Sequence, residues 1–275
     1  HALVHDLESA LEFTKSCPYP VVAKPVAGAG SQTTYRVTND EEMHAAISSL
    51  GHAVADGVII EEFIQGEEFS LDTFMLNGKV LGQTINHYYP TPLEAMSNPW
   101  IQWRVMLRKE HNGRAFDDVR KAGKKAVDIL GMKTGLSHME WFRRKDGSIA
   151  ISEIAARPPG AQFTTLISRA CDFDAIRAWV RLMIYDEPVT TEIKYTSGAA
   201  YLRGQGEGCV CSIEGLDVVR TKYGDIITDV RIPKIGQEKS ASYEGEGFII
   251  VRHPDSKVIE DALKNIVETV RVVLA

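Results

Sequence analysis

The stretch that decides the fold runs from His138 to Glu153 and reads HMEWFRRKDGSIAISE. Asp146-Gly147 within it is typical of a two-residue type I′ turn, and residues that favour β-strands flank it on both sides. A hairpin closed by this turn places Glu140 directly opposite Glu153, with both side chains on one side of the sheet. The sequence therefore predicts two neighbouring antiparallel strands that carry a facing pair of carboxylates.

A facing pair of carboxylates indicates a metal site. Like charges directly opposite each other destabilise a strand pair. A bound divalent cation removes this repulsion, and carboxylate oxygens are the ligands that Mg²⁺ prefers. From the hairpin alone, two solvated glutamates on an exposed face are an equally good interpretation.

The composition excludes several classes of protein. The chain has 275 residues, of which 44% are hydrophobic and 25% charged, as in a soluble protein of one large or two medium domains. The net charge of −6 argues against nucleic acid or an anionic membrane as partner. No Cys-x-x-Cys pair is present, so we expect reduced thiols and a cytoplasmic protein. The cysteines are Cys17, Cys171, Cys209 and Cys211.

A lysine and a glycine-rich turn form a second candidate feature. Lys24 ends a predicted buried strand and precedes the turn that contains Gly28, Gly30 and Ser31. An ammonium group there can reach a nucleotide phosphate, while backbone N–H groups bind other phosphate oxygens. The turn is neither a Walker A loop nor a Rossmann fingerprint, because a strand rather than a helix is predicted after it. Taken alone, an ordinary hairpin loop is as good an interpretation.

Two further segments carry polar groups suited to a nucleotide. The segment Glu61–Glu68, with the sequence EEFIQGEE, ends a strand whose backbone groups can bind an adenine ring. The carboxylate of Glu68 could then accept hydrogen bonds from ribose hydroxyls. Arg157 follows Glu153 by four residues and could neutralise a phosphate or bind a substrate carboxylate bidentately.

In this order, the strand around Lys24, Glu61–Glu68, His138–Glu140 and Glu153–Pro158 resemble the ATP-grasp superfamily. The resemblance covers nearly the whole chain, and the order and spacing of the motifs carry it. The branch it looks like is the carbamoyl-phosphate-synthase-like group of carboxylate–amine ligases, which includes L-amino-acid ligases and purine-pathway enzymes.

The resemblance implies an α/β (α+β) ATP-grasp fold. We expect a lid subdomain over residues 1–58, an adenine- and metal-binding subdomain with a mainly antiparallel sheet over 59–190, and a small α/β cap over 191–275. An N-terminal domain normally precedes these motifs in the family, and we expect it to be missing from this chain.

The resemblance also assigns roles to residues. Lys24 and Arg157 would be catalytic, with Lys24 also binding the α- and β-phosphates. Glu140 and Glu153 would bridge Mg²⁺, or alternatively Mn²⁺, to the phosphates of ATP. The family's further asparagine ligand is replaced here by Ala155. The remaining nucleotide contacts would be Gly28, Gly30 and Ser31 in the phosphate lid, Glu61, Glu62, Phe63 and Ile64 at adenine, and Glu68 at ribose.

The reaction that these roles imply joins a small-molecule carboxylate to an amine through an acyl phosphate, with release of ADP and phosphate. Two alternatives stay open. One is a purine-pathway ligase for a phosphorylated ribosyl substrate, which basic residues facing the site would favour (Arg104, Arg108 and Lys109). The other is a non-catalytic ATP-binding regulatory module. The resemblance is compatible with a homodimer.

The segment 86–113 is predicted to be irregular, because it combines three prolines with the aromatic residues Tyr88, Tyr89, Trp100 and Trp103. A connection of that length is often functional. We expect it to contribute to substrate specificity, with His87, Tyr88 and Trp100 as candidates for a pocket.

Overall fold

In the computed structural model, which describes residues 1–27 and 33–275, the chain forms two units, His1–Gln65 and Gly66–Ala275. Over residues 1–27 and 33–65, the first unit contains one antiparallel sheet and three helices. The strands are β1 (Ala2–Val4), β2 (Val21–Pro25), β3 (Tyr35–Val37) and β4 (Val58–Glu62), in the spatial order β1-β4-β2-β3. The helices are α1 (Leu7–Ser16), α2 (Asp40–Leu50) and α3 (Ala53–Asp56).

Side-chain caps begin the first two helices. The carboxylate of Asp6 accepts the Ser9 N–H at the start of α1, and the amide oxygen of Asn39 accepts the Glu42 N–H at the start of α2. Both helices bury apolar residues against the sheet, where the core includes Val21, Val37, Met43, Ile47 and Ile60. This small core holds β2, the strand that carries Lys24.

The second unit is built on an antiparallel sheet of eight strands, with the spatial order β12-β13-β10-β7-β6-β5-β8-β9. The strands are β5 (Gly66–Leu76), β6 (Lys79–Tyr89), β7 (Arg104–Leu107), β8 (Gly135–Arg144), β9 (Ile149–Ala155), β10 (Thr196–Leu202), β12 (Ile227–Arg231) and β13 (Gly247–His253). Two more strands, β11 (Val210–Glu214) and β14 (Arg271–Leu274), pair separately. The predicted mainly antiparallel sheet is therefore confirmed.

Helices cover both faces of the large sheet. They are α4 (Pro92–Ser97), α5 (Asp117–Ile129), α6 (Phe163–Cys171), α7 (Ala175–Tyr185), α8 (Leu216–Tyr223) and α9 (Ser256–Thr269). Helix α6 packs on the face that carries Tyr88 and Ala199, which we call the front face. Helices α5 and α9 pack on the back face, against Leu71 and Met106 respectively.

The structure places the domain boundaries differently from the sequence. Strand β4 pairs with β1 and β2, so the first unit extends to Gln65 rather than to residue 58. Strands β10, β12 and β13 lie in the large sheet, so residues 191–275 are not a separate cap. The predicted irregular connection over 86–113 is also wrong, since it contains the end of β6, α4 and the sheet strand β7.

None of the helices in the described ranges, 1–27 and 33–275, has the length and apolar character needed to cross a membrane.

Candidate active site

The Glu140–Glu153 pair forms as predicted, although the turn differs. Glu140 on β8 pairs directly with Glu153 on β9. The Gly147 N–H donates to the Arg144 C=O at 2.9 Å, and in this loop only Gly147 has a positive φ, +84°. A type I′ turn requires positive φ at both central residues. The prediction of a two-residue type I′ turn is therefore wrong.

A bulge restores the predicted register. The loop contains three residues, because the Arg144 N–H donates to the Ser148 C=O. This longer loop shifts the strands by one residue near the turn, where Trp141 pairs with Ile151. Ser152 is then left without a partner across the ladder, and the register shifts back at Glu140. The three-residue loop and the bulge at Ser152 shift the register in opposite directions, so Glu140 and Glu153 still face each other.

Glu68 lies on the same front face, on β5. It is 7% exposed. Burial, and secondly the nearby charge of Glu140, raise the pKa of the Glu68 carboxyl well above its ordinary value. A carboxyl group that keeps its proton can donate one hydrogen bond as well as accept others. Such a group suits a ligand hydroxyl.

Behind these carboxylates lies a buried polar network, of which the sequence indicated His138, on the same strand face as Glu140, but neither Asp72 nor Asn86. Asp72 is fully buried, with Oδ1 2.7 Å from His138 Nδ1 and Oδ2 accepting from Asn86 Nδ2 at 2.8 Å. Burial by itself lowers the pKa of His138, but Asp72 and Glu140 outweigh it and raise that pKa to about 9. The available signal was the polar residue at every second position of β5, from Glu68 through Ser70 to Asp72. Such alternation is typical of a solvated face.

An aromatic wall flanks the carboxylates on the side of α6. The Tyr88 hydroxyl donates to Glu140 Oε1 at 3.4 Å, and its ring stacks on Phe163 with 5.6 Å between centroids. Trp103 packs edge-on against Tyr243 at 4.5 Å. Burial, followed by the charge of Glu140, raises the pKa of Tyr243. The sequence indicated Tyr88 only as a candidate for a specificity pocket, and it gave no indication of a role for Tyr243.

Arg157 lies just after β9 and is exposed. Its Nη1 donates to the Pro158 C=O at 3.1 Å. Its positive charge acts on Tyr243, where it opposes the effects of burial and of the carboxylates on the tyrosine pKa. Arg157 is therefore near the aromatic wall and is accessible to a ligand.

In the first unit, Lys24 and Glu61 form an ion pair, with 2.7 Å between Nζ and Oε1. The register pairs Val22 with Glu61 and Lys24 with Ile59, so both charged side chains lie on one face. Their side chains are 21% and 24% exposed. An anion can therefore reach the ammonium group of Lys24, where it competes with the carboxylate of Glu61 for that group.

The adenine candidates continue β4 beyond this ion pair. The Phe63 N–H donates to the Pro20 C=O at 3.2 Å, and the guanidinium of Arg36 lies 4.7 Å above the Phe63 ring. Strand β1 pairs with β4 only as far as Ile60. The role of Glu61–Ile64 at adenine stays a prediction, as does that of Glu68 at ribose. The lid candidates Gly28, Gly30 and Ser31 lie outside the described residues.

Two of the three basic candidates in the 86–113 segment, Arg104 and Arg108, lie away from the carboxylates. Arg104 pairs with Tyr89 across the sheet and lies over its ring at 5.5 Å. Arg108 binds Glu260 of α9 at 3.0 Å. Tyr88 faces the front, and successive side chains of a strand alternate, so Tyr89 and its partner Arg104 face the back. Arg108 lies four residues after Arg104 and faces the same way. Trp100 is 68% exposed, so it does not line a pocket with Tyr88.

His87 also belongs to the back face, where it stacks on Phe69 at 4.0 Å and contacts the Tyr89 hydroxyl at 2.6 Å. Burial, followed by the charges of His111 and Arg108, lowers the pKa of His87 to about 3. An unfolded histidine titrates near pH 6.5, so the unfolded state gains the proton first as the pH falls. The stability that neutral His87 contributes is present above about pH 6.5 and is lost as the pH falls toward 3.

We therefore expect the free energy of unfolding to fall by about 1.4 kcal/mol per pH unit from His87 alone between pH 6 and pH 4. His87→Gln should show a shallower dependence in urea unfolding measured at several pH values. The exposed His44 provides the control, and His44→Gln should keep the wild-type slope. Equal slopes for wild type and His87→Gln would contradict the assignment.

Among the described residues, no group of three or more His, Cys, Asp or Glu side chains is arranged to hold a metal ion. The carboxylates of Glu140 and Glu153 alone therefore provide a site of only two protein ligands. Mg²⁺ is commonly bound by one or two carboxylates together with the phosphates of a substrate. The pair fits an ion that arrives with a nucleotide.

Comparison with known proteins gives a consistent result. A sequence model described as "ATP-grasp domain" matches residues 17–166. An L-arginine-specific L-amino acid ligase of Bacillus subtilis is 24% identical over 178 residues, which are 63% of this chain and 42% of that protein. The chain thus spans less than half the length of this curated relative.

Solved structures show the same fold. An L-amino acid ligase from Bacillus licheniformis superposes with a TM-score of 0.75 at 20% identity, over 94% of this chain and 64% of that one. An N5-carboxyaminoimidazole ribonucleotide synthetase from Thermotoga maritima superposes with a TM-score of 0.70 at 18% identity, over 99% and 67% respectively.

Proposed function

Since this chain belongs to the ATP-grasp domain family, we propose that it acts as an ATP-dependent carboxylate–amine ligase. In the proposed reaction, a substrate carboxylate attacks the γ-phosphorus of ATP and ADP leaves. An amine then attacks the acyl phosphate, an amide forms and inorganic phosphate is released. The observation that carries this proposal is the facing pair of Glu140 and Glu153 beside the buried Glu68.

Catalysis in this proposal depends on position and charge, without a protein nucleophile. Glu140 and Glu153 would hold Mg²⁺, which neutralises phosphate charge when it is bound. Arg157 would add positive charge at the transferred phosphoryl group or at a substrate carboxylate. Lys24 would bind the α- and β-phosphates, exchanging Glu61 for a phosphate oxygen.

The phosphorylated-ribosyl alternative has less support. Basic residues that face the carboxylates would favour this alternative. Arg104 and Arg108 lie on the back face instead. The purine-type enzymes among the similar structures are under 25% identical to this chain and bear on the fold alone. The non-catalytic module is less favoured because Lys24, Glu140, Glu153 and Arg157 are all present.

The test of the function is phosphate release from Mg-ATP by the full-length protein. Pooled amino acids, dipeptides and amines are supplied as substrates, and the nucleotide products are identified. ADP formation that depends on one pool supports the ligase and begins to define its substrate. ATP binding without release from any pool would overturn the proposed amino-acid-type substrates and favour a phosphorylated ribosyl substrate or the non-catalytic module.

Glu68 offers a separate prediction about the nucleotide. We expect Glu68→Ala to raise the KM for ATP by roughly tenfold with a smaller change in kcat, because a lost hydrogen bond to a charged or strongly polar group costs about 1.5 kcal/mol. The neighbouring Glu67→Ala is the matched control, since its side chain is 68% exposed on the back face beside His87. An unchanged KM for ATP in Glu68→Ala would count against the ribose role.

A further inference from the structure

We propose that Asp72 and His138 form a positioning relay for Glu140, and that Oε2 is the oxygen of Glu140 that binds the metal. This inference rests on the proposed function, because it concerns the same pair of carboxylates. It gives a role to the buried network of Asp72, His138 and Asn86 on the front face, which has no part in the proposed reaction.

Asp72 begins the relay and is not available to a metal. Both of its carboxylate oxygens are engaged, Oδ1 with His138 Nδ1 at 2.7 Å and Oδ2 with Asn86 Nδ2 at 2.8 Å. The same Asn86 nitrogen also donates to Ser70 Oγ at 3.1 Å, which fixes the amide. A fully buried carboxylate is tolerated only when it is paired and hydrogen-bonded in this way. Asp72 thus serves as a fixed support.

His138 transmits this support to Glu140. A ring nitrogen that contacts a carboxylate is the donor, so the Nδ1–H points to Asp72 and sets the ring orientation. The other ring nitrogen, Nε2, is then directed at Glu140 Oε1, 3.7 Å away. The ladder enforces this arrangement, because Asp72 pairs with His138 and Ser70 pairs with Glu140 across β5 and β8. His138 and Glu140 lie two residues apart and share the front face.

The contacts distinguish the two oxygens of Glu140. The His138 contact falls on Oε1, and the Tyr88 hydroxyl donates to the same atom at 3.4 Å. An oxygen with two such neighbours is a poorer ligand for a cation than an oxygen without them. Oε2 is therefore the oxygen that we assign to the ion, with Glu153 facing it from β9. Groups that orient a metal ligand typically change metal affinity by about 10–100-fold when they are removed.

Two substitutions at His138 distinguish a role in positioning Glu140 from a purely structural hydrogen bond to Asp72. In His138→Asn, the amide nitrogen replaces Nδ1, so the bond to Asp72 is kept and the contact with Glu140 is lost. In His138→Gln, the amide nitrogen replaces Nε2, so the contact with Glu140 is kept. We expect the Asn variant to bind Mn²⁺ in the presence of ADP about 10–100-fold more weakly than wild type. The Gln variant keeps the contact with Glu140 but loses the bond to Asp72 that orients the ring, so its loss of affinity should be clearly smaller.

The measurement is the dissociation constant of Mn²⁺ from the full-length protein with ADP, obtained by electron paramagnetic resonance of the free ion. His87→Gln is the control, since His87 is a buried histidine on the back face of the same sheet, and its affinity should equal that of wild type. Equal Mn²⁺ affinity in wild type and His138→Asn would overturn the relay. Equal losses in the Asn and Gln variants would also overturn it.

If His138→Asn fails to fold, a second variant still tests the proposal. Tyr88→Phe removes the other donor to Oε1 and keeps the ring packing, so we expect a severalfold weaker Mn²⁺ affinity at unchanged melting temperature. Unchanged affinity in this variant would overturn the oxygen assignment. If wild type itself binds Mn²⁺ no better with ADP than without, the proposed metal–nucleotide site fails, a result distinct from failure of the relay.

Discussion

Glu153→Gln is expected to lower kcat by roughly a thousandfold while the melting temperature is retained. Glu153 is exposed at the end of β9 and contributes no core packing, so the fold does not depend on its charge. Loss of one of two carboxylates removes metal-derived charge stabilisation worth several kcal/mol, and each 1.36 kcal/mol is tenfold in rate. The repulsion between Glu140 and Glu153 also disappears, which favours the folded state slightly.

The measurement is ADP formation under saturating Mg-ATP with the substrate pool that supports turnover. Glu67→Gln is the matched control, because it neutralises a carboxylate of the same sheet on the opposite face, and it should keep near wild-type kcat. Normal turnover in Glu153→Gln would remove the metal assignment and leave two solvated glutamates as the better interpretation of the hairpin.

Trp103→Ala is expected to lower the free energy of unfolding by about 3–5 kcal/mol. The indole is fully buried, and its Nε1–H donates to the Pro90 C=O at 2.9 Å. Its ring also contacts the rings of Tyr201 and Tyr243, at 4.6 Å and 4.5 Å between centroids. Truncation therefore leaves a cavity at the centre of the aromatic wall and removes the donor to a partly buried carbonyl.

A neighbouring tryptophan provides the control for this prediction. Trp100 lies three residues earlier and is 68% exposed, so Trp100→Ala should change stability by no more than about 0.5 kcal/mol. Chemical denaturation of the two variants, followed by circular dichroism, makes the comparison. A loss below about 1 kcal/mol in Trp103→Ala would show that the wall is not a packed part of the core.

Local sequence signals predicted the β8–β9 hairpin, but not the end of β6 that carries Tyr88. Asn77-Gly78 closes a hairpin in which both residues have positive φ, +50° and +77°, as a type I′ turn requires. Asp146-Gly147 carries a similar signal, yet its loop holds three residues. The chemical nature of a turn dipeptide constrains only a few dihedral angles, and the bulge at Ser152 depends on how β9 pairs with β8. The facing carboxylates were thus predicted correctly on an incorrect turn.

The sequence by itself determined the family, the strand that carries Lys24, the facing pair of Glu140 and Glu153, and the antiparallel sheet around them. The facing pair follows from residues close together in the chain, where alternation and turn chemistry act directly. The family and the wider sheet follow from the resemblance, which the order and spacing of the motifs carry. Only the tertiary structure decided that Asp72 is buried against His138, that Arg104 turns away from the carboxylates, and that the boundary between units falls at Gln65. Those outcomes depend on which face of a strand the helices cover, and residues far apart in the chain decide it.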